Sequence, residues 1–139
     1  MSAQFRNWTV YLEAEFGPED ITERVARLVS DSGVTTGIVT VAMAGSTGAI
    51  TTIEYEPGAL HDLRRALDTL APANDDYDHN ARWGDGNGFS HIRSALLKTS
   101  LSVPIVDGRL YLGTWQQLMT INFDNRPRSR EIAAVIIGE

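Results

Sequence analysis

Cysteine is absent from the 139 residues. No disulfide can staple the fold, no thiolate can hold a metal, and no cysteine can act as a nucleophile. The absence also suits a reducing compartment. Long hydrophobic runs are missing too. Neither Met1–Arg6 nor the following Trp8–Glu13 carries the continuous apolar core of a signal peptide, and no later run approaches a membrane span. The sequence therefore predicts a cytoplasmic protein with no membrane partner. Basic charge is scarce: 12 Lys and Arg stand against 18 Asp and Glu, for a net charge of −6. Nucleic-acid binding relies on a basic surface, so no nucleic-acid partner is expected. Arg126, Arg128 and Arg130 form the one local cluster of opposite sign. No Ser-His-Asp order, dinucleotide fingerprint or P-loop occurs.

The length is that of one domain, spanning residues 1–139, and is enough to bury roughly two thirds of the unfolded surface. No repeat, low-complexity tract or linker divides it. From Phe5 to Glu15 apolar and polar residues alternate, with Trp8, Val10, Leu12 and Ala14 on one side, as in a half-buried strand. Gly17-Pro18-Glu19-Asp20 opens a helix whose Asp20 and Glu23 have capping-box spacing and whose Ile21, Val25 and Leu28 form its apolar face. Val34–Met43 is β-branched and reads as a central strand. A short break at residues 44–48 leads to a second strand through Ile53 and Tyr55. Glu56-Pro57-Gly58 starts another helix, with Leu60, Leu63, Leu67 and Leu70 on one face.

Residues 71–90 read as a long polar loop, rich in Asp, Asn and Gly, and loops of that length in a compact domain are usually functional or disordered. Ser90 is placed to cap a short helix that turns Ile92, Ala95 and Leu96 inward. Beyond it, Leu101–Val106 and Leu110–Leu112 flank Asp107-Gly108, a strong hairpin signal. Strands over Thr114–Phe123 and Glu131–Ile137 close the chain. The fold class is α+β, β-rich and mainly antiparallel, sandwich-like, with two main helices and a long loop containing Gly and His.

That loop is the candidate site of chemistry. Between Tyr77 and Arg93 it carries His79, Asp85, Gly86, Asn87, Gly88 and His91. Gly86 and Gly88 allow close backbone approach to a ligand. Glycines ahead of a helix N-terminus suit an anion such as phosphate, and Arg93 in the first turn adds a cationic fork. His79 and His91, twelve residues apart, match no short metal motif. They are candidate general acid/base groups, or ligands of a divalent ion such as zinc or magnesium with Glu54 or Asp85 completing the set. Ser46 and Thr47 sit in a small hydroxyl-bearing turn that either lines a phosphate or simply bridges two strands. Glu54 and Glu56 alternate on one side of an extended segment and can share a proton or a metal. Packing in the core accounts for Trp115, but not for Gln116 and Gln117 side by side.

Several blocks together resemble the YjbQ-like family: Thr52–Gly58, Trp83–Gly88, Ser90–Arg93, Ser100-Leu101 with Val103-Pro104, Asp107-Gly108-Arg109, and Gly113–Gln117. The likeness runs in order from about residue 5 to Gly138-Glu139. It implies a β-rich α+β fold, a homotrimer, and a polar site near subunit boundaries where His79 and His91 match histidines associated with metal or anion binding. It also implies a thiamine-phosphate synthase-like reaction, joining a pyrimidine diphosphate to a thiazole phosphate with loss of pyrophosphate. Catalytic residues would be His79, His91 and Glu54. The phosphorylated ligand would meet Ser46, Thr47, Asp85, Gly86, Asn87, Gly88, Arg93, Trp115 and Gln116. Two departures stand out: Gly45 and Phe89 occupy positions where many relatives have histidine. The alternative expectation is a non-catalytic trimer that binds a metal or a phosphate ligand.

Overall fold

A computed structural model describes residues 1–139. In chain order it contains β1 (Ser2–Leu12), β2 (Gly17–Asp20), α1 (Thr22–Ser32), β3 (Thr36–Met43), β4 (Gly48–Ile53) and α2 (Pro57–Leu70). These are followed by α3 (Asp78–Trp83), α4 (Gly88–Leu97), β5 (Ser100–Val106), β6 (Arg109–Leu110), β7 (Gln117–Asn122) and β8 (Arg128–Gly138). Two antiparallel sheets result, one of order β1-β8-β3-β5-β6 and one of order β2-β7-β4. The α+β expectation holds, with four helices where two main ones were expected.

Strand alternation builds the core. Val10 and Leu12 of β1, Val39 and Val41 of β3, and Ile132, Ala134 and Ile136 of β8 all point to the inner face of the larger sheet. They meet Ile50 of β4 and Leu118 of β7, while Val25 and Val29 of α1 close one end. Full burial of each such side chain contributes roughly 1.5–3 kcal/mol. The other face of the smaller sheet, with Ala49, Met119, Ile121 and Phe123, packs under Leu60, Leu63 and Leu67 of α2. Glu56 caps α2 by accepting from the Gly58 and Ala59 amides. The hairpin falls at Asp107-Gly108, with φ of 52° and 75°, the pair of positive angles that a two-residue turn of the primed type needs.

Four expectations need correction. Gly17–Asp20 is strand β2, paired with β7 at a sheet edge where Pro18 is tolerated, and not the first turn of a helix. Asp20 accepts from the Thr22 amide and hydroxyl, so it forms an Asx turn ahead of the Ile21 cap rather than a capping box. Leu70 points outward, and Ala71, four residues after Leu67, takes the buried place instead. The supposed loop of residues 71–90 contains α3 and the first residues of α4; α3 ends at Gly84 in the left-handed conformation.

The smaller sheet also places the site. Each of its strands is joined to a strand of the larger sheet by a short crossover: residues 13–16 between β1 and β2, 44–47 between β3 and β4, and 123–127 between β7 and β8. Gly17 and Gly48 both pair with Asn122, so all three crossovers meet at one corner.

Candidate functional site

The corner is tied together from the backbone up. The Glu15 amide donates to the Asp124 carbonyl at 2.8 Å, and the Phe123 amide to the Thr47 carbonyl at 2.8 Å. Asn122, fully buried, donates from Nδ2 to the carbonyls of Glu13 and Arg126 at 3.0 Å each. Its Oδ1 accepts from the Asp124 amide at 3.2 Å and from Arg130 Nη2 at 2.7 Å.

α4 is fastened to this corner by two serines one turn apart. Ser90 Oγ donates to the Phe123 carbonyl and Ser94 Oγ to the Gly48 carbonyl, each at 2.6 Å and buried. Ser90 is therefore an anchor inside α4, not its cap. The small serines turn Phe89, Ser90, Arg93 and Ser94 inward and leave Ile92 and Leu96 about half exposed, the reverse of the face expected from the apolar residues alone. α3 packs on the start of α4 at Gly88. A Cβ there would lie 2.5 Å from Tyr77 Cβ, and the Gly88 amide donates to Asn80 Oδ1 at 2.8 Å.

This packing brings His79 of α3 and His91 of α4 together, with ring centroids 4.4 Å apart and a 47° tilt. His79 Nδ1 lies 3.5 Å from Asp85 Oδ1. With its amide nitrogen toward Asp85, Asn87 donates to that carboxylate at 3.0 and 3.2 Å. Gly86, at φ 71°, makes the turn between Asp85 and Asn87, and Asn125 Nδ2 holds the Asp85 carbonyl at 2.8 Å.

His91 opens on two neighbouring hollows. One, of about 440 Å³, is bounded by Ser46, Thr47, Asp85, Asn87, Asp124 and the three arginines Arg126, Arg128 and Arg130. The other, of about 320 Å³, runs over Ser94 to Lys98. Gly45, Ser46 and His91 belong to both, so together they form one polar cleft. Burial and the charge of Arg128 push the Arg130 guanidinium below its ordinary pKa, with Asp124 opposing.

The expected site residues thus separate into groups. Asp85, Asn87 and His91 line the cleft with Ser46 and Thr47, while His79 packs against His91, Gly86 makes the turn between Asp85 and Asn87, and Gly88 forms the contact between α3 and α4. Arg93 does not reach the cleft. Its guanidinium is 2% exposed, donates to the Ala71 carbonyl and to Asp68 at 3.0 Å each, and lies over the rings of Phe89 and Phe123. Glu54, Trp115 and Gln116 stand at the other end of the smaller sheet, one strand length of roughly 20 Å away. There Gln116 donates to Thr52 Oγ1 at 3.3 Å, Gln117 accepts from the Tyr55 amide at 2.9 Å, and Trp115 is 73% exposed rather than packed in the core. Glu56 is committed to capping α2. The arginine ladder was the feature undervalued in the sequence. Strand alternation puts Arg128 and Arg130 on one side of β8, the bend before it brings Arg126 to the same hollow, and net charge hides this cluster.

No set of three or more His, Asp or Glu side chains converges to hold a metal ion. Glu54 is remote, and the two imidazoles with Asp85 do not make such a set. The donors of this chain do not fit the divalent ion that the resemblance implies, and no step is derived through one. No helix is long and apolar enough to cross a membrane.

Comparison with known proteins gives one consistent result. The sequence model of the UPF0047 protein YjbQ-like family matches residues 7–139. A UPF0047 protein of Methanothermobacter thermautotrophicus is 38% identical over 120 residues, covering 86% of this chain and 82% of its own. The YugU protein of Bacillus subtilis is 31% identical over 120 residues, covering 86% and 88%. Among solved structures, a protein of unknown function from Sulfolobus solfataricus superposes with a TM-score of 0.89 at 28% identity, covering 99% of this chain and 100% of that one. An uncharacterised conserved protein of Clostridium acetobutylicum gives 0.87 at 32% identity, covering 95% and 99%.

Proposed function

This chain belongs to the YjbQ-like family, and we propose that it is an enzyme acting on phosphorylated small molecules in the cleft at the sheet crossovers, with His91 as its reacting group. The observation that carries this reading is the pairing of His79 and His91 at 4.4 Å, backed by Asp85, where the two hollows join. An imidazole is a side chain suited to general acid–base work or to donating a hydrogen bond to a reacting group. The carboxylate of Asp85 faces the Nδ1 side of His79, and His79 in turn packs against His91.

The finer reading, supported by the family resemblance, is the joining of a pyrimidine diphosphate to a thiazole phosphate. In that reaction the thiazole nitrogen bonds the methylene carbon as the carbon–oxygen bond to the diphosphate breaks. The leaving pyrophosphate takes the electron pair. What the protein must provide is donors aimed at the oxygens where that charge grows. The hydroxyls of Ser46 and Thr47, the Asn87 amide and His91 are the polar groups of the cleft suited to it.

The test is product formation from hydroxymethylpyrimidine diphosphate and thiazole phosphate, with the unaltered protein and His91→Ala assayed together. The expected result is turnover that falls by about 10²- to 10⁴-fold in the variant, with an unchanged melting temperature. Equal turnover in both removes His91 from the chemistry, and no turnover in either removes this pair of substrates.

A homotrimer is part of the same proposal. On the outer face of the larger sheet, Ala3, Ile137, Ile38 and Pro104 form a row across four strands, flanked by Phe5 and Val135. Phe5, Ile38 and Ile137 are 57%, 50% and 44% exposed, an apolar patch of the kind that association covers.

A further inference from the structure

Arg130 carries the one buried side-chain polar atom left without a hydrogen-bond partner. It is 4% exposed, and only Nη2 is used within the chain, donating to Thr47 Oγ1 and Asn122 Oδ1 at 2.7 Å each. Nε has no partner. Nη1 makes no hydrogen bond either, and lies 3.0 Å from where a Cβ on Gly45 would stand. Gly45 lines both hollows. A buried cation with unpaired donors is costly unless an acceptor reaches it.

The surroundings do not supply that acceptor. Asp124, the nearest carboxylate on this wall, is occupied by Thr47 Oγ1 and Arg128 at 3.2 Å each and by the Asn125 amide at 2.8 Å. Asp85 is occupied by Asn87 and faces His79. Three guanidinium groups thus face two engaged carboxylates in the 440 Å³ hollow, a local positive excess in a chain of net charge −6. Arg126 is exposed, and Arg128 is about one third exposed.

We propose that Arg126, Arg128 and Arg130, with Thr47 between them and the turn at Gly45, seat the phosphoryl group of the ligand. Guanidinium groups match the geometry of a tetrahedral oxyanion. An anion entering beside Gly45 meets Arg130 Nη1, and the absent Cβ leaves room for it. The bare phosphate sits at the arginine end of the cleft, and the rest of the ligand runs past His91 toward Lys98. This inference deepens the functional reading above and rests on it for the identity of the reacting end. It moves the anion seat from the glycines and Arg93, where the sequence places it, to the β7–β8 crossover.

The test is calorimetric titration with inorganic phosphate and pyrophosphate, using the unaltered protein, Arg130→Gln, Arg126→Ala and His91→Ala. The expected result is binding that weakens by about tenfold or more in Arg130→Gln, by several-fold in Arg126→Ala, and by less in His91→Ala than in either arginine variant. The Arg126 side chain is exposed and makes no hydrogen bond within the chain, and its backbone carbonyl keeps its bond to Asn122 in the alanine variant, so that variant decides the matter where Arg130→Gln fails to fold. No binding of either anion at millimolar concentration, or equal affinity in the arginine variants, overturns the seat. Anion binding that depends on the arginines, without turnover in any protein, upholds the seat and removes the catalytic reading of His91.

Discussion

Asn122 shows how one side chain can hold a site in shape. Its amide joins the ends of β1 and β7 to the β7–β8 crossover, and its oxygen holds Arg130. Replacing it with alanine strands several buried partners at once, and Asn122→Ala is expected to lose about 3 kcal/mol in urea denaturation. Two tyrosines give a pH signature. Burial pushes the Tyr55 hydroxyl above its ordinary value, with Asp20 and Glu19 adding to the effect; burial and Asp75 do the same for Tyr77, against Arg93. In both, the folded state holds the proton more tightly than the unfolded chain does. Their stabilisation is therefore full below about pH 10 and is lost as pH rises through the folded values. Melting temperature should fall on raising the pH above that point, and less so in Tyr55→Phe. At this scale the sequence was legible where a residue acts locally, as with Glu56 capping its own helix. It was not legible for Arg93, whose partners come from two distant segments, Asp68 and Ala71 at the end of α2 and Phe123 after β7.

Among the elements, α4 decides where the chemistry lies. Its buried face is set by Ser90 and Ser94, which hydrogen-bond to β7 and β4 ends and let the helix approach closely. Apolar periodicity misreads a short helix of this kind, because its inward groups are two hydroxyls, a guanidinium and a single phenyl ring rather than leucines. Gly88 is the matching feature on the α3 side. Gly88→Ala would drive a methyl group into Tyr77 and Asn80, so α3 must shift and carry His79 away from His91. The expected outcome is a loss of about 1–3 kcal/mol together with reduced turnover. Unchanged turnover in a destabilised variant would show that the pairing of the rings is not needed. α3, at six residues, has too few apolar positions to show a period, so its segment reads as loop.

For the whole molecule, the apolar outer face of the larger sheet is the feature that a single chain leaves unexplained. Light scattering on the unaltered protein should give the mass of three chains, and Ile38→Asp should lower it while circular dichroism stays the same. A single-chain mass for the unaltered protein would sink the trimer. The sandwich explains why one corner gathers the site. Strands that change sheet must turn at the sheet ends, and three such turns meet beside Asn122.

By itself the sequence determined the α+β class, the central strand, the Asp107-Gly108 hairpin and the family, because each is written in local pattern or in the order of short blocks. It also marked His79, Asp85, Asn87 and His91 as belonging together, since they are close along the chain. Only the tertiary structure decided that Glu54, Trp115 and Gln116 stand a strand length away, that the Arg93 side chain is buried beneath α4, and that Arg126, Arg128 and Arg130 share a hollow with His91. Those relations are distances between segments far apart in sequence, set by which strands cross between the sheets and at which end, and no local propensity encodes them.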